Sequence, residues 1–115
     1  MAIENATLTD TQQDILTVPA GKSYAITNIL VCNTYSPNGA SPEAQSANFD
    51  MHFLKDNQTL DNARTCVVRE LELPAGETFT FDSEKIILAE GEKLSFVGDD
   101  TNAANLAVSV SYLEV

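Results

Sequence analysis

Tryptophan is absent from this chain, histidine occurs once, and lysine and arginine together number only 6 against 17 aspartates and glutamates. Each shortage excludes something. A net charge of −11 repels phosphate backbones and anionic lipid, so neither a nucleic-acid nor a membrane partner is expected. One histidine, His52, cannot build a multi-histidine metal site, and general acid–base work would rest on it alone. Without tryptophan, a sugar platform would have to be built from tyrosine. The two cysteines, Cys32 and Cys66, lie in strand-like segments without CxxC spacing and are expected as buried free thiols of a chain folded in a reducing cytoplasm. The longest clearly apolar run, Ile29 to Cys32, is far too short for a membrane span, and the first residues carry Glu4 and no basic export region. At 115 residues one domain with one core is expected.

What the chain does have is a near-repeated turn. Val18-Pro19-Ala20-Gly21-Lys22-Ser23-Tyr24 returns as Leu73-Pro74-Ala75-Gly76-Glu77-Thr78-Phe79, about half the chain later. Proline in the second turn position and a glycine free to take positive φ predict two bulged hairpins, each joining two strands. Between the turns, Tyr24 to Cys32 reads as the longest early strand, with Ile26, Leu30 and Cys32 on one face and Ile29 and Val31 on the other, hence central in a sheet. Phe49, Met51 and Phe53 alternate with Asp50 and His52 as a half-buried strand. Thr65 to Leu73, Thr78 to Phe81, Lys85 to Leu88 and the stretch through Leu94 and Phe96 follow, and Leu106 to Tyr112 shows the cleanest period of two. Turn clusters at Asp82-Ser83-Glu84, Ala89-Glu90-Gly91-Glu92 and Gly98 to Asn102 separate them. The spacing predicts an all-β fold: a two-sheet antiparallel β-sandwich, jelly-roll-like, of about eight strands.

Two stretches lack a period. Residues 1–12 read as an N-terminal arm preceding a single sandwich domain over 13–115. Residues 34–48, with two prolines, a glycine and many small polar side chains, read as a long loop that either carries binding or assembly contacts or is disordered. Contact residues are therefore expected at Ile3 and Leu8 of the arm and at Tyr35, Pro37, Asn38 and Pro42 of the loop. Tyr24 and Tyr112 are expected to point inward, which leaves Tyr35 as the one ring for a sugar, unless it packs the loop down.

No catalytic, cofactor-binding or metal-binding residue is expected. His52, on an alternating strand beside Asp50, reads as a surface residue with no nucleophile or orienting group assembled around it. Asp56-Asn57, Asp61-Asn62 and Asp99-Asp100-Thr101-Asn102 offer oxygens of the kind calcium takes, without the spacing of a calcium loop, and read as turns. The PAG glycines are expected to matter more for folding than any charged residue.

The strings ITNILVCNT (Ile26 to Thr34), LPAGETFTFDSEKIILAEGEKL (Leu73 to Leu94) and VSYLEV (Val110 to Val115) resemble small virion structural proteins of tailed bacteriophages, particularly those of cyanophage type. The resemblance spans about two thirds of the chain and departs mainly from Tyr35 to Ala47. It implies a non-enzymatic virion protein, made in the host cytoplasm, that binds phage capsid or tail proteins as a homo-oligomer or in multiple copies, without a cofactor. A head decoration or cement protein is the leading expectation, and a neck, tail or fibre-associated adaptor is the alternative. A glycan-binding β-sandwich module is the alternative of another class.

Overall fold

A computed structural model describes residues 2–81 and 86–115. The strands are β1 (Ala2–Thr7), β2 (Gln13–Thr17), β3 (Tyr24–Asn33), β4 (Ala47–Leu54), β5 (Cys66–Leu73), β6 (Thr78–Phe81), β7 (Ile86–Leu88), β8 (Lys93–Gly98) and β9 (Leu106–Glu114). One sheet runs β1-β9-β3, with β6 and β7 both on the far side of β3; the other runs β2-β8-β4-β5. Every pairing is antiparallel. β6 pairs with Ile29–Cys32 and β7 with Tyr24–Ile26, so the two lie end to end along one edge. Taken as one edge strand, they complete the two facing four-strand sheets of a jelly roll. The turn expected at residues 82–84, and Lys85 of the strand expected after it, lie outside the described residues.

The near-repeated turns join sheets rather than hairpin partners. β2 and β3 belong to different sheets, as do β5 and β6, and β7 and β8. Lys22 N–H donates to Pro19 O (3.2 Å), Glu77 N–H to Pro74 O (3.1 Å) and Glu92 N–H to Ala89 O (3.1 Å). Proline is thus the first turn residue, not the second. The third residues, Gly21, Gly76 and Gly91, stand at φ +79, +80 and +81, as a turn with left-handed geometry at that position requires. Such a turn sets the reversal and leaves the pairing partner to the packing of the sheets.

Between the sheets, Ile29 faces Val110 and Val31 faces Val108 in register, all buried, against Phe49, Met51, Leu94 and Phe96 of the opposite sheet. The Phe49 ring meets Phe79 edge-on at 5.6 Å and Phe96 at 6.1 Å. Each large side chain sealed there contributes about 1.5–3 kcal/mol. A bulge between Ile26 and Asn28 shifts the alternation of β3, so that Ile26 joins Ile29 and Val31 in the core instead of sharing a face with Leu30.

The arm expected over residues 1–12 is instead β1, an edge strand paired with β9 from Ala2↔Tyr112 to Thr7↔Ala107. An edge strand held by its backbone needs no apolar period, which is why its sequence reads as featureless. Leu8 follows it into the core at 1 % exposure. Its N–H donates to Leu106 O (3.0 Å), and the next carbonyl, of Thr9, accepts from Gly98 N–H at 2.8 Å. A Cβ at Gly98 would lie 2.8 Å from that oxygen, so the chain crosses there only because the residue is glycine. Leu8 is therefore core and not a contact residue.

Candidate functional site

The loop after β3 closes one end of the sandwich and spans residues 34–46, because Ala47 and Asn48 already belong to β4. Tyr35 O–H donates to Ala40 O (2.7 Å), so this ring packs the loop down. Pro37 lies against the second PAG turn, where a Cβ on Gly76 would meet its Cδ at 2.8 Å. Asn38 is exposed, and Pro42 opens a one-turn 3-10 helix, Pro42–Gln45. These four predicted residues share one loop. Ile3 does not join them: it pairs with Ser111, whereas the loop leaves β3 beside Leu106, a separation of about 17 Å along the strand direction.

Asparagines hold the loop in place. Buried Asn33 donates from Nδ2 to Gln45 O (2.8 Å) and Leu73 O (2.9 Å) and accepts from Tyr35 N–H at Oδ1 (3.1 Å). From the other side Asn102 Nδ2 donates to Ala44 O (2.9 Å) and Ser46 O (3.0 Å), and Asn105 Nδ2 to Gln45 Oε1 (3.1 Å). Asp99 takes N–H groups from Asn48 (2.8 Å), Thr101 (3.1 Å) and Asn102 (2.8 Å). Sequence reasoning missed these tethers because Asp99 and Asn102, close to Gly98, read equally well as local turn chemistry, and nothing local marks Asn33 or Asn105. Asp99, read from the sequence as part of a turn, bridges two segments. Among the described residues no cluster of histidine, cysteine or acidic side chains could hold a metal ion.

A second polar assembly crosses the sheet β2-β8-β4-β5 on its outer side. Asp14, Ser95, His52 and Cys66 occupy neighbouring strands in register. His52, expected at the surface, is 0 % exposed, as is Ser95. Ser95 O–H donates to Asp14 Oδ1 at 2.6 Å. Thr65 Oγ1 stands 2.8 Å from His52 Nδ1, donates to Asp61 O (2.9 Å) and accepts from Asp61 N–H (3.1 Å). Thr65 Oγ1 and His52 Nδ1 share one hydrogen bond, whose donor is set by the imidazole tautomer. Nε2 is buried and has no hydrogen-bond partner among the described residues.

Burial lowers the pKa of His52, aided by Arg69 and opposed by Asp50, so the ring is neutral. Burial works to raise Asp14, but hydrogen bonds from Ser95 and Gln12 and the charge of Lys93 bring it below the ordinary carboxylate value. Burial pushes the Cys66 thiol up, and neither Cys66 nor Cys32 is disulfide-bonded. Chemically this is a clamp. The serine proton points to an aspartate of lowered pKa, a weak base, and not to the histidine.

The inward expectation for Tyr24 and Tyr112 holds only halfway. Both rings are half-buried, 4.6 Å apart, and line an open cleft of about 310 Å³ with Ala2, Leu113 and Glu114. Burial, with Glu4 nearby, raises the Tyr112 pKa.

No protein-family model, curated protein or solved structure matches the chain. Among the described residues no helix is long and apolar enough to cross a membrane.

Proposed function

We propose that this chain is a structural protein of a phage virion, a decoration or cement protein bound in many copies to the capsid exterior. One contrast carries the reading: Ser95 and His52, the side chains suited to chemistry, are sealed at 0 % exposure, whereas the aliphatic Ile3, Ile87 and Val115 stand 63, 61 and 65 % exposed. Such a molecule offers surfaces rather than a reaction centre. The acidic balance keeps it off packaged DNA, and the tethered loop presents Pro37 and Asn38 as a fixed contact. A neck, tail or fibre position uses the same surfaces. Purified particles should contain the chain in copy numbers scaling with the capsid protein, and Pro37→Glu with Asn38→Glu should abolish rebinding to stripped capsids. Absence from particles overturns the role, and parental rebinding by the double variant overturns the loop as the contact.

The Tyr24–Tyr112 pair favours one reading of another class, a glycan-binding module in which a sugar stacks on these rings. Retention of a glycan on an array, lost in Tyr112→Ala, would support it over the structural role. No retention removes it.

A further inference from the structure

Among the described residues, only one edge of the two sheets is uninterrupted. β2 is bulged between Asp14 and Leu16, β5 is bulged against β4 and carries Glu70 at φ +46, and the far side of β3 is shared between β6 and β7. These are devices that stop a sheet edge from pairing with another chain. β1 has no bulge, left-handed residue or break, and its one charge, Glu4, lies in register with buried Val110 on the side away from Ile3, Asn5 and Thr7. Its register with β9 is unbroken, and it contains neither proline nor lysine.

Leu8 N–H turns toward β9, so by alternation Ile3, Asn5 and Thr7 turn their N–H and C=O groups to the open edge. Among the described residues only the Thr7 carbonyl already has a partner there, Gln13 Nε2 at 3.0 Å on a half-buried residue. We propose that β1 pairs antiparallel with β1 of a second copy of this chain, about a two-fold axis through Asn5, fusing the two sheets into one.

Charge selects the occupant and the register. Copies of net charge −11 can meet only where like charges are absent. The outward side chains of β1 and β9 here are Ile3, Asn5 and Thr7 beside Ser111, Ser109 and Ala107, none ionised. The one charge on β1 is Glu4. A two-fold through Glu4 would set two carboxylates opposite each other, which is destabilising. One through Asn5 sets Glu4 against Ala6 and Ile3 against Thr7, with Gln13 yielding its carbonyl to Ile3 N–H, and keeps residues 3–7 of both strands paired. One through Ile3 keeps only residues 2–4 of the strand paired. On the axis, Asn5 Oδ1 already accepts from Ser109 Oγ (2.8 Å), and its NH₂ group is left to face its mate. The interface is isologous, as closed dimers require, and it does not depend on the capsid role.

Disulfide trapping tests it. In Asn5→Cys the paired Cα atoms would be about 5.5 Å apart, within bridging range. Mild oxidation should give a reducible dimer that neither Glu4→Cys nor the parent, with the same Cys32 and Cys66, forms. Sedimentation of Asn5→Lys should show loss of the dimer although the substitution lowers the net negative charge. Val67→Lys on β5, with the same charge change, should keep it. A parent that sediments as a monomer throughout its soluble range, an Asn5→Cys that does not cross-link, or a Glu4→Cys that cross-links as readily overturns the proposal. None of these outcomes bears on particle binding.

Discussion

The two outer faces of the sandwich are built on opposite plans. On the sheet β2-β8-β4-β5, polar outward side chains are bonded to one another, Asp14 to Ser95, His52 to Thr65, Asp50 to Arg69 (2.7 Å) and to Glu70 N–H (2.6 Å), and of these Asp50, His52, Thr65 and Ser95 are buried. On the sheet containing β3 and β9 the outward positions are aliphatic, hydroxylic or amide, and Ile3, Ile87 and Leu113 stand exposed. A strongly acidic chain thus uses polar bonds to stiffen one face and keeps the described outward strand positions of the other free of charge. Stiffness and availability for contact are separated into different sheets.

The largest effect is expected from breaking the stiff face. Asp50→Ala removes the acceptor for Arg69 and for the N–H of Glu70, a non-glycine residue held at φ +46. Arg69 is half-exposed and stays hydrated, so most of the loss is the bulge N–H and its strained backbone, about 2–3 kcal/mol in all. Chemical denaturation should show it. A change below about 0.5 kcal/mol would mean that the carboxylate is dispensable to the bulge.

Next come the turns that tie the two sheets together. Gly21 and Gly76 have the same left-handed φ, but a Cβ at Gly21 meets nothing within 4 Å, whereas one at Gly76 meets the Pro37 ring. Alanine at either position should cost about 1–2 kcal/mol of backbone strain. Gly76→Ala should cost measurably more than Gly21→Ala, and in a Pro37→Ala background the two should converge. Equal costs in the parent would show that the loop does not press on the turn.

Strand periodicity, the glycine turns and the sandwich class were legible because each depends on residues close in sequence. Pairing was not: Pro19-Ala20-Gly21 signals a reversal without saying whether the next strand joins the same sheet or the facing one. Parity in β3 failed at Thr27, where one inserted residue moves Ile26 to the other face. His52 misled because alternation with Met51 says only that it faces away from the core, not that Thr65 covers it. Tyr35, Pro37, Asn38 and Pro42, expected as contact residues, lie in one loop as their closeness in sequence requires, but the asparagines that hold it bond across distances in sequence that no local pattern reveals.

A pH titration sharpens the contrast without altering packing. The pKa of His52 is lowered in the folded state, so the unfolded chain binds the proton more readily. Stability is therefore full above the unfolded value near 6.5 and is lost as pH falls below it toward the folded value. Asp14, also lowered, adds a further loss as pH falls below 3.8. Melting temperatures of the parent should decline from neutral pH through that first window, and His52→Gln, whose amide does not titrate, should flatten it there whatever its absolute stability. An unchanged slope would assign the acid sensitivity to other groups.

The smallest effect is expected on the open face. Ile87 projects outward beside Ala25, with Leu113 on the other side of that alanine, and is 61 % exposed. Replacing it by serine removes apolar surface that water already reaches, so stability should change by no more than about 0.5 kcal/mol. The dimer should also persist, because Ile87 lies on the side of β3 away from β1. Any particle contact that uses this face should instead weaken. If Ile87→Ser were to cost more than about 1 kcal/mol in the isolated chain, the face would be closed by the protein's own residues, and the contrast between a locked sheet and an open one would fail.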